Sequence, residues 1–219
     1  MLTVHHLQRG QSERIVWLCE ELNIPYELKL YPRDPRTFMS PPELQALHPS
    51  KSAPIVQDGG ITLAESGAIF EYILTKYGDG KLSVSPSADN YADYLYFLHF
   101  ANGTLQPALL RARMATKMGL PPDDIGARLA LNGMKKSLKL LNDRLSASQW
   151  LAGDEFTAAD IMVVFSLTTM RLFFPYSLQE YQGILGFLQR VNKRDAYRSA
   201  IAKSDPGFQP PMSAEAPAQ

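Results

Sequence analysis

The sequence predicts an α/β domain followed by an all-α helical bundle. Three features carry that reading. About the first 80 residues alternate short apolar strands with amphipathic helices, Gly78 to Asn90 turns to Gly, Ser, Pro, Asp and Lys, and the remainder holds only long helical periodicities. A chain of 219 residues with 45% hydrophobic content is long enough to bury a substantial core in one or two domains.

Thr3 to Leu7 reads as a strand, and Ser12 to Asn23 as a helix with Ile15, Val16, Leu18, Cys19 and Leu22 on one face. Tyr26 to Leu30 alternates as a second strand, and a Pro-rich loop leads to a short helix from Pro42 to His48, interrupted by Pro49. Ile55–Gln57 and Ile61–Leu63 flank Asp58-Gly59-Gly60, a tight-hairpin signal, and a helix over Glu65–Tyr77 stops at Gly78. The order βαβαββα predicts a mixed, four-stranded sheet covered by helices. Domain bounds follow at 1–80 and 91–203, joined by a linker at 81–90. Helices are expected over Tyr91–Met118 with a kink at Pro107, Pro122–Ala147, Ala158–Phe173, Leu178–Asn192 and Ala196–Lys203. The last stretch, 204–219, is rich in Pro, Ser and Ala and reads as a poorly ordered or surface-draped tail.

Formal charge is zero, from 22 basic and 22 acidic residues with no basic stripe, so nucleic acid is not an expected partner. No segment reaches the roughly 18 apolar residues of a membrane span, and the N-terminus lacks a signal-peptide core, so a cytoplasmic location is expected. Cys19 is the only cysteine, which leaves neither an internal disulfide nor a cysteine metal cluster, and on an apolar helix face it reads as a small hydrophobe. His5, His6 and His48 lack an accompanying ligand set, so no metal is expected.

The stretch "SKSAPIVQDGGITLAES", Ser50 to Ser66, carries the first chemistry. Pro54 begins a strand, where its missing N–H costs least. It reads either as a trans edge-strand proline or as a cis proline that turns Ala53 outward, its N–H and C=O available to an extended peptide. Glu65-Ser66 opens a helix, where free N–H groups and the helix dipole favour a carboxylate, although the same pair serves as a plain cap. Joined by one hairpin, the two would grip a small acidic peptide.

"SAPIV", "LAES" and the βαβαββα order followed by helices resemble the glutathione transferase family over about residues 1–203. The resemblance implies an N-terminal thioredoxin-like domain that binds glutathione as co-substrate. It places Ala53 and Pro54 against the cysteinyl backbone and Glu65 and Ser66 at the γ-glutamyl end. "FTAADIMV" resembles the capping box of the family's C-terminal domain: Thr157 caps a helix, Asp160 reaches back to its N–H, and Phe156 staples onto Ile161.

The family's chemistry needs a glutathione thiolate, and a donor at the first helix N-terminus, in "LQRGQSER" (Leu7 to Arg14), gains from the dipole there. This sequence departs from the common patterns. Gly10 stands where many members carry a serine hydroxyl, and the loop has no tyrosine. The donor role is divided between Gln11, where some relatives place an asparagine, and Ser12, whose hydroxyl also suits an N-cap. Arg9 is either solvated or a ligand of a glutathione carboxylate. Ahead of Ala53 the family has Gly-Lys or Gly-Arg; here Lys51-Ser52 displaces the cation by one position, within reach of the glycyl carboxylate through a flexible stem.

Tyr94, His99, Phe100 and Asn102, on the first helix of the bundle, are candidates to line an apolar pocket for a second substrate, although aromatic residues there also serve as core. The resemblance implies conjugation of the thiolate to a small hydrophobic electrophile by a homodimeric detoxification enzyme. The alternatives are a glutathione-dependent peroxidase, reductase or isomerase, or a non-catalytic transferase-like regulatory or binding protein.

Overall fold

Leu2–Leu7, strand β1, is buried along its whole length, as a strand flanked on both edges and covered on both faces must be. The computed structural model describes residues 1–121 and 123–218. They divide into two compact units, Met1–Ser85 with Val191–Pro210, and Pro86–Arg190 with the residues from Pro211 onward.

In the first unit β1 pairs in parallel with β2 (Tyr26–Tyr31), reached through helix α1 (Glu13–Leu22), and antiparallel with β3 (Ile55–Asp58). The hairpin joins β3 to β4 (Ile61–Ala64), giving the mixed sheet order β2-β1-β3-β4. Asp58 faces Ile61, so the loop is the two residues Gly59-Gly60, and Gly59 takes φ +61°, a conformation glycine adopts without steric cost. Helix α2 is only Pro42–Gln45, and its Leu44 joins Leu7, Ile55 and Ala64 in a buried cluster flanked by Tyr31, Leu47 and Ala53. Helix α3 runs Ser66–Tyr77 and packs against α1. Asp58 collects Lys76, Tyr72 and Tyr77 from α3, tying the hairpin end to that helix.

The second unit contains α4 (Tyr91–Phe100), α5 (Gln106–Lys117), α6 (Ile125–Ala147), α7 (Ala158–Leu167) and most of α8 (Gln182–Asn192). The expected kink at Pro107 takes the form of a π-helical turn, Ala101–Leu105, just ahead of the proline, which lacks an N–H and crowds the preceding turn. Helix α7 stops at Leu167, and Thr169–Leu172 continues as a 3₁₀ turn, shorter than the helix expected to Phe173. Helix α8 begins at Gln182, later than Leu178. The helix expected from Pro122 begins at Ile125, capped by the Asp124 carboxylate on Ala127 N–H at 2.8 Å; Pro122 lies outside the described residues.

Asp160 performs the capping expected of it, accepting Thr157 N–H at 2.8 Å, and also holds Leu151 N–H at 2.9 Å. Phe156 stacks edge-on against Trp150 at 4.9 Å.

One segment is grouped differently from the expectation. The segment 191–210, including helix α9 (Asp195–Ser204), packs with the first unit instead of belonging to one helical domain over 91–203. The cause is a dense contact with α1: Arg194 grips Glu21 at 2.6 and 2.7 Å, Ser199 and Lys203 each meet Glu20 at 2.7 Å, and Tyr197 packs edge-on against Trp17 at 4.7 Å. Of the two forms expected for the tail, it takes the surface-draped one and is held in place. Buried Arg171 donates to the carbonyls of Pro211, Ser213 and Glu215, and Leu178 N–H meets Ala214 C=O at 2.7 Å.

Candidate functional site

The strand register gathers three loops at one end of the sheet. Ile55 pairs with His5 on one side and Ala64 on the other, so the residues just before Ile55 lie beside the end of β1 and beside the β4–α3 junction. Ala53-Pro54, the β1–α1 loop and Glu65-Ser66 are thereby brought together in the first unit.

The Ala53–Pro54 peptide is cis. Neither the N–H nor the C=O of Ala53 has a partner among the described residues. Upstream, Lys51 sits at φ 53°, its N–H bonded to His48 C=O at 2.9 Å and its C=O accepting the Ser40 hydroxyl at 3.1 Å. Its ammonium and Ser52 are exposed. Glu65 has φ 72° and ψ 117°, a backbone conformation costing about 1–3 kcal/mol and characteristic of ligand clamps. Its C=O accepts Ile69 N–H at 2.9 Å, which leaves the N–H groups of Ser66, Gly67 and Ala68 outside the helical ladder. Ser66 is 2% exposed, and its hydroxyl has no partner among the described residues. The arrangement offers a free peptide edge and a helix N-terminus with an uncommitted hydroxyl.

In the β1–α1 loop the two donor candidates separate. Ser12 is wholly buried. Its Oγ accepts Leu7 N–H at 3.1 Å and lies 3.0 Å from His6 Nδ1. His6 Nε2 is 3.0 Å from the Asp205 carboxylate, so in the neutral ring Nε2 carries the hydrogen and Nδ1 takes the Ser12 proton. The hydroxyl is thus spent inside the protein, although it caps no helix N–H. Gln11 is half-buried. Its Oε1 accepts Arg14 Nη1 at 3.1 Å, and Nε2 has no partner among the described residues. Gly10 cannot carry a side chain without backbone movement, because a Cβ there would stand 2.6 Å from Leu7 C=O.

The rest of the loop is braced from outside. Asp205, just past α9, accepts Arg9 N–H at 3.0 and 3.2 Å, and Arg33 donates to Gln8 C=O at 2.7 Å and Phe38 C=O at 2.8 Å. Neither Asp205 nor Arg33 carries a sequence signal: Asp205 meets His6 and the Arg9 N–H from far along the chain, and Arg33 braces the loop through backbone carbonyls. Arg9 stands at φ 50°, and its guanidinium lies 5.3 Å from the Phe208 ring centroid, toward the β2 side of the sheet and away from β4.

Burial pushes the Cys19 thiol up to about 12, so it supplies no thiolate near neutral pH. Among the described residues no cluster of three or more His, Cys, Asp or Glu can hold a metal, and no helix is long and apolar enough to cross a membrane.

Tyr94, His99, Phe100 and Asn102 belong to the second unit. Tyr94 and Phe100 are 5% and 3% exposed and stack on Tyr91 and Tyr96 of their own helix. His99 is exposed, and Asn102 lies half-buried in the π turn.

Residues 10–76 match the family model described as "Glutathione S-transferase, N-terminal domain", and residues 106–195 match "Glutathione S-transferase, C-terminal domain". Glutathione S-transferase 3 of Schizosaccharomyces pombe is 32% identical, over 93% of this chain and 88% of that protein. A crystal structure of a glutathione S-transferase from Actinobacillus pleuropneumoniae superposes with a TM-score of 0.85 at 30% identity, covering 94% of this chain and 95% of that one. A glutathione transferase of Phanerochaete chrysosporium, in complex with oxidized glutathione, shares the fold at a TM-score of 0.74 and 21% identity over 92% and 95% of the two chains.

Proposed function

Because this chain belongs to the glutathione S-transferase family, we propose that it binds glutathione at the Ala53–Ser66 end of its sheet and conjugates the thiolate to a hydrophobic electrophile. The cysteinyl backbone pairs with Ala53 beside Pro54. The γ-glutamyl carboxylate meets the Ser66 hydroxyl and the free N–H groups of α3, where the dipole favours an anion. Glu65 takes the amino group, and Lys51 with Ser52 takes the glycyl carboxylate.

One observation carries the catalytic part: Arg14 holds Gln11 by its oxygen, which leaves the amide N–H groups uncommitted among the described residues just ahead of α1. A sulfur held there accepts a charge-assisted hydrogen bond and sits at the positive end of a helix; both favour thiolate over thiol. The thiol proton leaves to solvent. The thiolate sulfur bonds to the electrophilic carbon as the leaving group departs with its electron pair, and holding both reactants together removes much of the entropic barrier. Ser12 holds the loop and is not the donor.

A homodimer is part of the proposal. Leu110 and Met114 on α5 and Met118 at its C-cap recur every fourth residue at 41%, 54% and 66% exposure, and Ile125 and Leu129 on α6 are 73% and 67% exposed. An apolar surface of this kind suits a second copy of the chain.

The test is turnover of a chlorodinitrobenzene with glutathione. The proposal expects glutathione-dependent conjugation above the uncatalysed rate that Gln11→Ala largely removes. Glutathione binding without conjugation of any aryl halide contradicts the transferase reading.

A further inference from the structure

We propose that the electrophile this protein accepts carries an anionic group, a carboxylate or sulfonate on an apolar or aromatic body, recognised by Arg9 in a cleft beside the thiol loop. The inference rests on the transferase reading given above. The cleft, about 340 Å³, lies wholly within the first unit. Leu30, Tyr31 and Pro32 at the end of β2 form one wall, and Pro206 and Phe208 beyond α9 form the other. That volume is at the small end of ligand sites and fits a single substituted ring.

The charge in the cleft is unevenly committed. Both oxygens of Asp205 are occupied, by His6 Nε2 and by Arg9 N–H. The Arg9 guanidinium makes no hydrogen bond or ion pair among the described residues and rests on the Phe208 ring. A planar cation laid on an aromatic face, its donors unspent, is a ready partner for a carboxylate or sulfonate whose ring lies against the same apolar walls. Asp205 fixes the backbone beneath it, so the guanidinium starts from an anchored position.

Its place relative to the sulfur follows from the sheet. The glutathione residues lie on the β3 and β4 side of β1, and the cleft lies on the β2 side. Only Gly10 separates Arg9 from Gln11, and two residues span at most about 7 Å of backbone. On this proposal an electrophile anchored by its anion at Arg9 is held by the same loop that holds the sulfur, and its reactive carbon meets the thiolate there. The sulfur bonds to the ring carbon that carries chlorine, and chloride leaves with the bonding pair.

Two electrophiles provide the test: a chlorodinitrobenzoate and the uncharged chlorodinitrobenzene. The expected result is that Arg9→Gln lowers the ratio of kcat/KM for the charged over the uncharged compound roughly tenfold, that Arg9→Lys keeps part of it, and that Phe208→Leu lowers it as well. A ratio unchanged in Arg9→Gln overturns the proposal. Calorimetric titration of a nitrobenzoate into the glutathione-saturated protein separates this from failure of the transferase reading. If neither compound turns over, tight binding by the parent and weak binding by Arg9→Gln still upholds an anion site, whereas equal binding, or displacement of the benzoate by glutathione, rejects it.

Discussion

Arg14 Nη1 donates to Gln11 Oε1 at 3.1 Å, leaving Nε2 as the end of the amide that can face a ligand. Gln11→Ala removes that donor. A hydrogen bond to a charged acceptor contributes about 1.5–3 kcal/mol, so kcat should fall about 10- to 100-fold. Gln11→Glu, which replaces the donor by a carboxylate beside the sulfur, should fall further. Steady-state rates at fixed pH check both, and a variant as fast as the parent removes Gln11 from the mechanism.

Ser12→Ala should act on the fold. It leaves Leu7 N–H and His6 Nδ1 without their shared partner in a buried place, a cost of about 1–3 kcal/mol. Thermal unfolding should shift down markedly, while the kcat measured well below the midpoint falls less than in Gln11→Ala. The reverse ranking would return the donor role to the hydroxyl.

Gly10→Ser would place a hydroxyl at the position where many family members carry one, yet it should lower activity. Its Cβ meets Leu7 C=O at 2.6 Å, so the loop must shift and Gln11 moves with it. Comparing Gly10→Ser with Gly10→Ala checks this: both should lose activity together, and a gain only in the serine variant would show that the loop tolerates a side chain.

Asp58 links acid stability to the β3–β4 hairpin. The Lys76 ammonium first, then the Tyr77 and Tyr72 hydroxyls, hold its carboxyl well below the usual carboxylate range. A depressed carboxylate adds stability that is fully present above its unfolded value of about 3.9 and lost as pH falls toward the folded value. Asp58→Asn should therefore be less stable than the parent at neutral pH, with the gap closing below about pH 4. Urea unfolding across that range checks it, and a gap independent of pH would mean that packing, not charge, sets the effect.

Met118→Glu places a charge at the C-cap end of the apolar stripe that runs along α5. Sedimentation should show the parent as a dimer and the variant shifted toward monomer; a parent that runs as a monomer contradicts the homodimer.

What was legible in the sequence were the locally specified features. The strands alternate, Asp58-Gly59 signals the turn, Pro107 signals a break, and each of these is decided by neighbours a few residues away. Ala53-Pro54 and Glu65-Ser66 were legible for the same reason, since one hairpin joins them. The direction of Ser12 was not. Its hydroxyl is claimed by a histidine held by Asp205, and His6 and Asp205 are 199 residues apart, a pairing no periodicity encodes. The allegiance of α9 rests on Glu20, Glu21 and Trp17, which read as an ordinary helix surface until their partners arrive. The anchored tail depends on Arg171 meeting backbone carbonyls, and those carry no residue-type signal.

The most direct measurement is the titration of the thiol of bound glutathione, followed by ultraviolet difference absorbance of the thiolate. With the sulfur held at the Gln11 amide and the start of α1, the bound thiol should ionise at least a full unit below the roughly 8.5 of a free cysteine, and Gln11→Ala should return it part of the way. A bound thiol that ionises like free glutathione, in a protein that nonetheless binds it, would contradict the account.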